Sequence, residues 1–139
     1  LSLALYHEAR GEPIHGQLMV ARVIMNRMKS PRWPSSMCGV ITQHRQFSFY
    51  RKDNTPKPRD EVAWSKAQKL AVEIINDPYI LPPSTADHYH TPDVRPVWRK
   101  KLHRVARIGY HIFYSYDHPT AVKTSVRPKQ RPVNLEIIK

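Results

Sequence analysis

Cysteine occurs once in the 139 residues, at Cys38, so neither an intrachain disulfide nor a multi-cysteine zinc site can be built. Set in an apolar stretch, Cys38 is expected to be a small buried hydrophobe. Glycine is nearly as scarce, with four residues, and none of them forms a phosphate-cradling loop or a dinucleotide fingerprint. No apolar run approaches the roughly 20 residues that a bilayer-crossing helix needs. There is no internal repeat, and no serine or cysteine has the elbow or partner spacing of a nucleophile. Acidic residues are few, 11 against 23 Lys and Arg, which leaves a net charge of +12 and a pI near 10.1. A balance of that kind implies an anionic partner: nucleic acid, an anionic cell envelope or acidic glycans. The chain begins at Leu1 with no basic n-region and cleavage site, as a processed or partial product would, so the missing leader says little about export.

What remains is enough for one globular domain with a real core. Residues 14–28 read as a helix that is apolar nearly all round, and hence central. Its narrow polar strip of His15, Arg22 and Asn26 faces either solvent or a cleft. Ser30, Pro31 and Pro34 stop it, and Ser35 or Ser36 caps a short helix over 37–42. Residues 46–50 alternate aromatic and polar, as a short strand does. Asp60 caps a clean amphipathic helix over 61–75 whose stripe includes Val62, Ala63, Ala67, Leu70, Ala71, Ile74 and Ile75. An extended segment over 87–91 follows, then a basic segment over 99–107 read as helical, and a strand over 108–114. The architecture is α+β, mostly helical, with residues 1–116 as the folded unit and 117–139 as a basic, proline-containing extension.

The stretch that organises the rest is Tyr6 to Pro13. On a helix, Leu1, Ala4, Leu5 and Glu8 share one face, while Leu3, Tyr6 and Arg10 point the other way. Glu8 thus stands in an apolar stripe, in the last turn of a helix ended by Gly11 and Pro13. Burial and the negative end of the helix dipole both disfavour its ionisation, which suits a general acid. The competing reading is a structural carboxylate paired with Arg10 or Arg22.

Three constellations could carry chemistry. Glycoside cleavage needs an acid and, in most mechanisms, a second carboxylate. Glu12, Asp53, Asp60 and Asp87 are available, but no spacing singles one out, and Glu12 better suits a structural contact with backbone N–H groups. A mechanism in which the sugar supplies its own nucleophile stays open. Trp33, Phe47, Tyr89, Trp98 and Tyr114 offer flat surfaces for sugar rings, with core packing favoured for Phe47 and Tyr114. A metal site could use His88 and His90 with His111 or His103, but a lone His-x-His pair is a weak signal and no metal or other cofactor is expected. Nucleic acid could meet the basic segment Arg95, Arg99, Lys100, Lys101, Arg104 and Arg107. No nucleic-acid-binding motif accompanies it, and a solvated face is at least as good an account.

Several motifs occur in a telling order: Tyr-His-Glu-Ala-Arg-Gly-Glu-Pro at 6–13, Gly16-Gln17, and Val-Ala-x-Val-Ile-x-Asn-Arg at 20–27. Then come Pro-x-Trp-Pro at 31–34, Cys-Gly-Val-Ile at 38–41, Gln46-Phe47-Ser48, His88-Tyr89-His90, Pro96-x-Trp98, and Ile-Gly-x-His-x-Phe-Tyr at 108–114. In these the chain resembles the SleB/CwlJ-type cell wall hydrolases, the family of the spore cortex-lytic enzyme. The resemblance implies a lysozyme-like fold and cleavage of peptidoglycan between N-acetylmuramic acid and N-acetylglucosamine. Members of the SleB type act as lytic transglycosylases that leave 1,6-anhydromuramoyl ends. The family's acid maps onto Glu8. Gln46, Phe47, Ser48, His88, Tyr89, His90 and Trp98 fall in segments expected near the cleft, with Arg10, Glu12, Asn26 and His111 as structural support. The implied partners are peptidoglycan and an anionic cell envelope, at the cell wall, in the periplasm or outside the cell. A small, highly basic unit also fits a phage lysis or virion enzyme, or one with spore-assembly partners. A separate wall-binding module of the kind found in some relatives is not expected within these 139 residues.

Overall fold

The computed structural model describes residues 1–43, 47, 49–52 and 54–118. Among these residues four helices, α1 (Ser2–Ala9), α2 (Ile14–Lys29), α3 (Met37–Ile41) and α4 (Glu61–Asn76), precede a three-stranded sheet of β1 (His88–His90), β2 (His103–Ile108) and β3 (His111–Ser115). Short 3-10 turns at Pro78–Ile80 and Val97–Lys100 complete the order. The fold is α+β.

Helices α1 and α2 contribute to all three apolar clusters, so the rest of the chain packs around them. Leu5, Tyr6, Leu18 and Ala21 meet Ala67, Leu70, Ala71 and Ile74 of α4. Ala4 and Ile24 meet Val40, Ile41, Phe47 and Phe49. Ala9, Met19, Val20 and Val23 meet Ala86 and Phe113 from the sheet side. A helix with three neighbours needs apolar residues on most of its circumference, which α2 has. The same demand corrects one expectation: Tyr6 does not point outward but is buried at 2 % exposure, edge-on to Trp64.

The caps behave as their side chains dictate. Ser36 Oγ accepts from Gly39 N at 3.0 Å and Asp60 Oδ1 from Ala63 N at 3.0 Å, each satisfying an orphan amide of the first turn. The turn between α1 and α2 uses Gly11 at φ +83°, a conformation cheap only for glycine. At the ends of α4 the stripe outruns its neighbours, and Val62 and Ile75 are exposed rather than buried. Cys38 is exposed as well, since α3 buries Val40 and Ile41 and Cys38, two residues before Val40, falls on the opposite side of the helix.

The sheet has the order β1-β3-β2 and is antiparallel throughout. Two expectations change here. Residues 103–107, expected within a basic helix over 99–107, instead form β2 with Ile108, and a bulge between Arg104 and Ala106 breaks the regular alternation that would mark a strand. The expected strand over 108–114 is split, since Gly109, at φ +56°, and Tyr110 make the hairpin turn between β2 and β3. The expected strand at 46–50 is also not seen among its described residues: Tyr50 N bonds Phe47 O at 3.2 Å in a turn, and Phe47 and Phe49 are buried without a strand partner. Gln46, Ser48, Asp53 and the extension beyond His118 lie outside the described residues.

Candidate active site

Glu8 leaves α1 half-buried, between the helices and the sheet. Register decides what meets it. Tyr89 pairs with Phe113, whereas His88 and His90 pair with Tyr114 and Ile112. Successive strand residues alternate faces, so Tyr89 alone of β1 points toward the helices. Its hydroxyl donates to Glu8 Oε1 at 2.7 Å. Burial raises the Glu8 carboxyl above its usual range, opposed by the Tyr89 hydrogen bond and the positive charge of Arg27. Burial, followed by the neighbouring Glu8, pushes the Tyr89 phenol well above its ordinary value, so it stays protonated as a donor. One carboxylate oxygen is therefore engaged by a fixed donor. The arrangement is thus a partly buried carboxyl with a raised pKa and one fixed hydrogen-bond donor.

The cation that acts on Glu8 is neither Arg10 nor Arg22. Arg10 is exposed, with its guanidinium over the Tyr6 ring at 4.6 Å and bonded to the Tyr6 hydroxyl. Arg22 donates to the carbonyls of Pro82 (2.9 Å) and Leu81 (3.3 Å). Arg27, which residue patterning did not single out, is 6 % exposed. Its guanidinium lies 5.1 Å from the Trp33 ring and 5.7 Å from that of Phe47, and Nε donates to Asp87 O at 2.8 Å. The signal was available as the last residue of the 20–27 motif. Asn26, next to it, bonds the carbonyls of Ser84 (2.9 Å) and Ala86 (2.7 Å). The polar strip of α2 thus neither faces solvent nor lines a cleft at Arg22 and Asn26; it holds the strand-like approach to β1.

The second acid of the motif does different work. Glu12 Oε1 accepts from Tyr110 N at 2.8 Å and lies 3.1 Å from His111 Nδ1, which is too bent an approach to make a hydrogen bond. Burial lowers the His111 pKa, with Glu12 opposing. Glu12 O also receives Gln17 Nε2 at 2.9 Å. Glu12 therefore fastens the turn after Glu8 to the sheet hairpin, and His111 packs edge-on against Tyr89 at 5.0 Å.

Other residues singled out from sequence are separated by the sheet. His90 is buried on the face away from Glu8. Its Nδ1 meets Thr91 O at 2.7 Å and so carries the proton, leaving Nε2 to accept from the Tyr114 hydroxyl at 3.0 Å. Trp98 covers this face, in ring contact with His88, His90 and Tyr114. His88, partly exposed, bridges toward the other side: Nδ1 meets Asp87 Oδ1 at 2.8 Å and the ring abuts Trp33 at 5.5 Å. Phe47 is buried under Arg27 rather than open to a ligand. His111 and His103 pair with Ile108 and Ser115, on the face opposite His88 and His90. The three-histidine arrangement is thus not assembled, and among the described residues no three His, Cys, Asp or Glu side chains gather. A cavity of about 500 Å³ opens on the other side of α1, lined by Tyr6, Arg10, Asp60 and Lys66 among others, and does not include Glu8 or Tyr89.

A family model described as Cell Wall Hydrolase matches residues 11–114. The chain belongs to the SleB/CwlJ-type cell wall hydrolase family. The matched span begins three residues after Glu8, so that residue stands just ahead of it. The chain is 34 % identical over 116 residues to spore cortex-lytic enzymes of Halalkalibacterium halodurans and of Bacillus subtilis, covering 81 % of this chain in each case. It spans only about a third of those relatives, 33 % and 35 % of their lengths. Among solved structures it resembles the catalytic domain of the Bacillus cereus SleB protein, with a TM-score of 0.61, 33 % identity and coverage of 82 % of this chain and 85 % of that one. It also resembles the catalytic domain of the germination-specific lytic transglycosylase SleB from Bacillus anthracis, with a TM-score of 0.63, 33 % identity and coverage of 82 % and 89 %. The α+β fold of this family member is that of the SleB catalytic domains.

Proposed function

We propose that this cell wall hydrolase cleaves the peptidoglycan glycan strand between N-acetylmuramic acid and N-acetylglucosamine as a lytic transglycosylase, acting at the cell wall. Glu8 protonates the bridging oxygen as the muramoyl C1–O bond breaks. Its carboxylate then takes the proton of the muramoyl 6-hydroxyl as the C1–O6 bond closes the anhydro ring. No water is consumed, and the proton lost in the first step is recovered in the second. The observation that carries this reading is the Tyr89 hydrogen bond to a carboxyl whose pKa burial has raised: a donor of that kind steadies the carboxylate between the two steps. A mechanism needing one carboxylate also agrees with the engagement of the three other candidate acids among the described residues. Glu12 is bonded at the hairpin, Asp60 caps α4, and Asp87 receives His88 Nδ1 and Tyr116 N. The name of the Bacillus anthracis relative, a lytic transglycosylase, points the same way. Mass spectrometry of digested walls is expected to find 1,6-anhydromuramoyl ends. Reducing ends alone would mean hydrolysis and overturn the transglycosylase step.

A second expectation concerns Tyr89→Phe. Glu8 must be protonated to act as the acid, so activity falls as pH rises through its pKa. The Tyr89 bond lowers that pKa, so its loss moves the alkaline limb of the pH–rate profile to higher pH. The maximum rate falls about tenfold or more, because the carboxylate formed at the first step loses a donor. An unmoved limb would show that Tyr89 does not act through Glu8.

A further inference from the structure

From Val94 to Tyr116 the chain contains six Arg and Lys residues and no Asp or Glu. Five of the six, Arg95, Lys100, Lys101, Arg104 and Arg107, are exposed. None of the six stands within ion-pair distance of a carboxylate among the described residues, where Arg32–Asp117 is the Arg or Lys pair seen. The bulge is what gathers the strand arginines. In a regular strand, residues three apart face opposite ways. Here Arg104 pairs with Tyr114 and Arg107 with Ile112, two residues apart on β3, so both arginines share the outer face. Val105 and Ile108 are thereby free to pack inward against the cluster that includes Phe113. The outer face is the one that Trp98 covers, away from Tyr89 and Glu8. The turn bearing Trp98 also presents Lys100 and Lys101 beside β2.

We propose that this outer face of the sheet, centred on Lys100, Lys101, Arg104 and Arg107, docks a linear phosphodiester polyanion of the cell wall, of the glycerol phosphate or ribitol phosphate kind. The proposal rests on the wall being the site of action. A strip of exposed cations along one sheet face suits a chain of closely spaced charges, from which each contact releases condensed counterions. Guanidinium forks match phosphate oxygens in particular. Recognition of nucleobases would ask for a row of open stacking rings among the cations; here Tyr114 and His90 are buried under a half-buried Trp98, and Tyr110 stands alone at the hairpin tip. Because this face lies away from Glu8, docking there holds the enzyme on the wall without entering the reaction.

The test uses the full chain carrying Glu8→Gln, bound on ice to intact sacculi before and after hydrofluoric acid removes phosphodiester polymers. Extraction is expected to weaken binding at least tenfold. Replacing Lys100, Lys101, Arg104 and Arg107 together by Gln is expected to do the same on intact walls, and to reduce the slope of log affinity against log salt by about 3, at about 0.7 per phosphate contact. The same four changes in the Glu8 protein leave cleavage of short soluble glycans within about twofold. Unchanged binding to extracted walls would overturn the proposal, and that arm needs no variant of the patch. So would displacement from intact walls by duplex DNA at lower phosphate concentration than by poly(glycerol phosphate), which would assign the face to nucleic acid. If Glu8→Gln still cleaves soluble glycan, the catalytic reading fails, and the binding arms are scored as before.

Discussion

Glu8→Gln lowers wall-clearing and soluble-glycan cleavage about 10³-fold while making the protein more stable at neutral pH. The first half follows from the role: positioned proton transfer contributes about 10² to 10⁴ in rate, and Gln keeps the shape and still accepts from the Tyr89 hydroxyl while losing the proton. The second half follows from linkage. A carboxyl whose pKa is raised in the folded state favours the fold only while protonated. That contribution is complete below the unfolded value of about 4.5 and is lost as pH rises through the folded one. At pH 7 the wild type carries the cost of a desolvated charge that Gln lacks. Thermal melts should therefore place the variant above wild type at pH 7, with the margin closing toward pH 4. The buried His111, whose lowered pKa costs stability as pH falls below about 6.5, is present in both proteins and cancels in the comparison. Activity surviving in a folded Glu8→Gln protein would remove Glu8 from the chemistry. A variant less stable than wild type at pH 7 would mean the carboxylate is a structural ion-pair partner after all.

Gly109→Ala is the larger blow to folding. Its φ of +56° is strained for any side chain, and a Cβ there would overlap Glu12 Oε2 and lie 2.9 Å from Glu12 Cδ. Glu12 cannot swing aside without giving up Tyr110 N. The left-handed backbone costs about 1–2 kcal/mol, and a lost hydrogen bond to a charged acceptor about 1.5–3 kcal/mol. Glu12→Ala should cost about 2 kcal/mol by the second route alone. Because the two substitutions share that loss, the double variant should cost less than the two singles together, a coupling that denaturant titration can read. Strict additivity would mean that Gly109 and Glu12 do not meet in the folded protein.

Much of the helical half was legible from residues. Ser36 and Asp60 cap where short acceptor side chains precede apolar periodicity, and Gly11 and Pro13 separate α1 from α2 for backbone reasons that need no tertiary knowledge. Glu8 drew notice as a carboxylate on an apolar stripe. Tyr6 was misplaced because an eight-residue helix wedged against both α2 and α4 buries more of its circumference than one stripe accounts for. Residues 103–108 carry no clean alternation because a bulge interrupts β2, so the strand shows only in its pairing with β3. Arg27 carries no local signal in residue patterning, because a buried arginine on an apolar helix depends on Trp33, Phe47 and the Asp87 carbonyl, none adjacent to it in sequence. Val62 and Ile75 carried the right periodicity but had no neighbour to cover them.

The grip of α2 on residues 81–87 bears on how this molecule can vary. Arg22, Asn26 and Arg27 reach the backbone carbonyls of Leu81, Pro82, Ser84, Ala86 and Asp87. Every residue type has a carbonyl, so the hold does not read the identity of the side chains it spans. The less buried positions of that connector, Pro82 and Pro83, can drift in sequence while Tyr89 keeps its place over Glu8, whereas Leu81, Ala86 and Asp87 are held by burial as well. A single change at Asn26, by contrast, would release two carbonyls at once and loosen the aim of β1 from a distance.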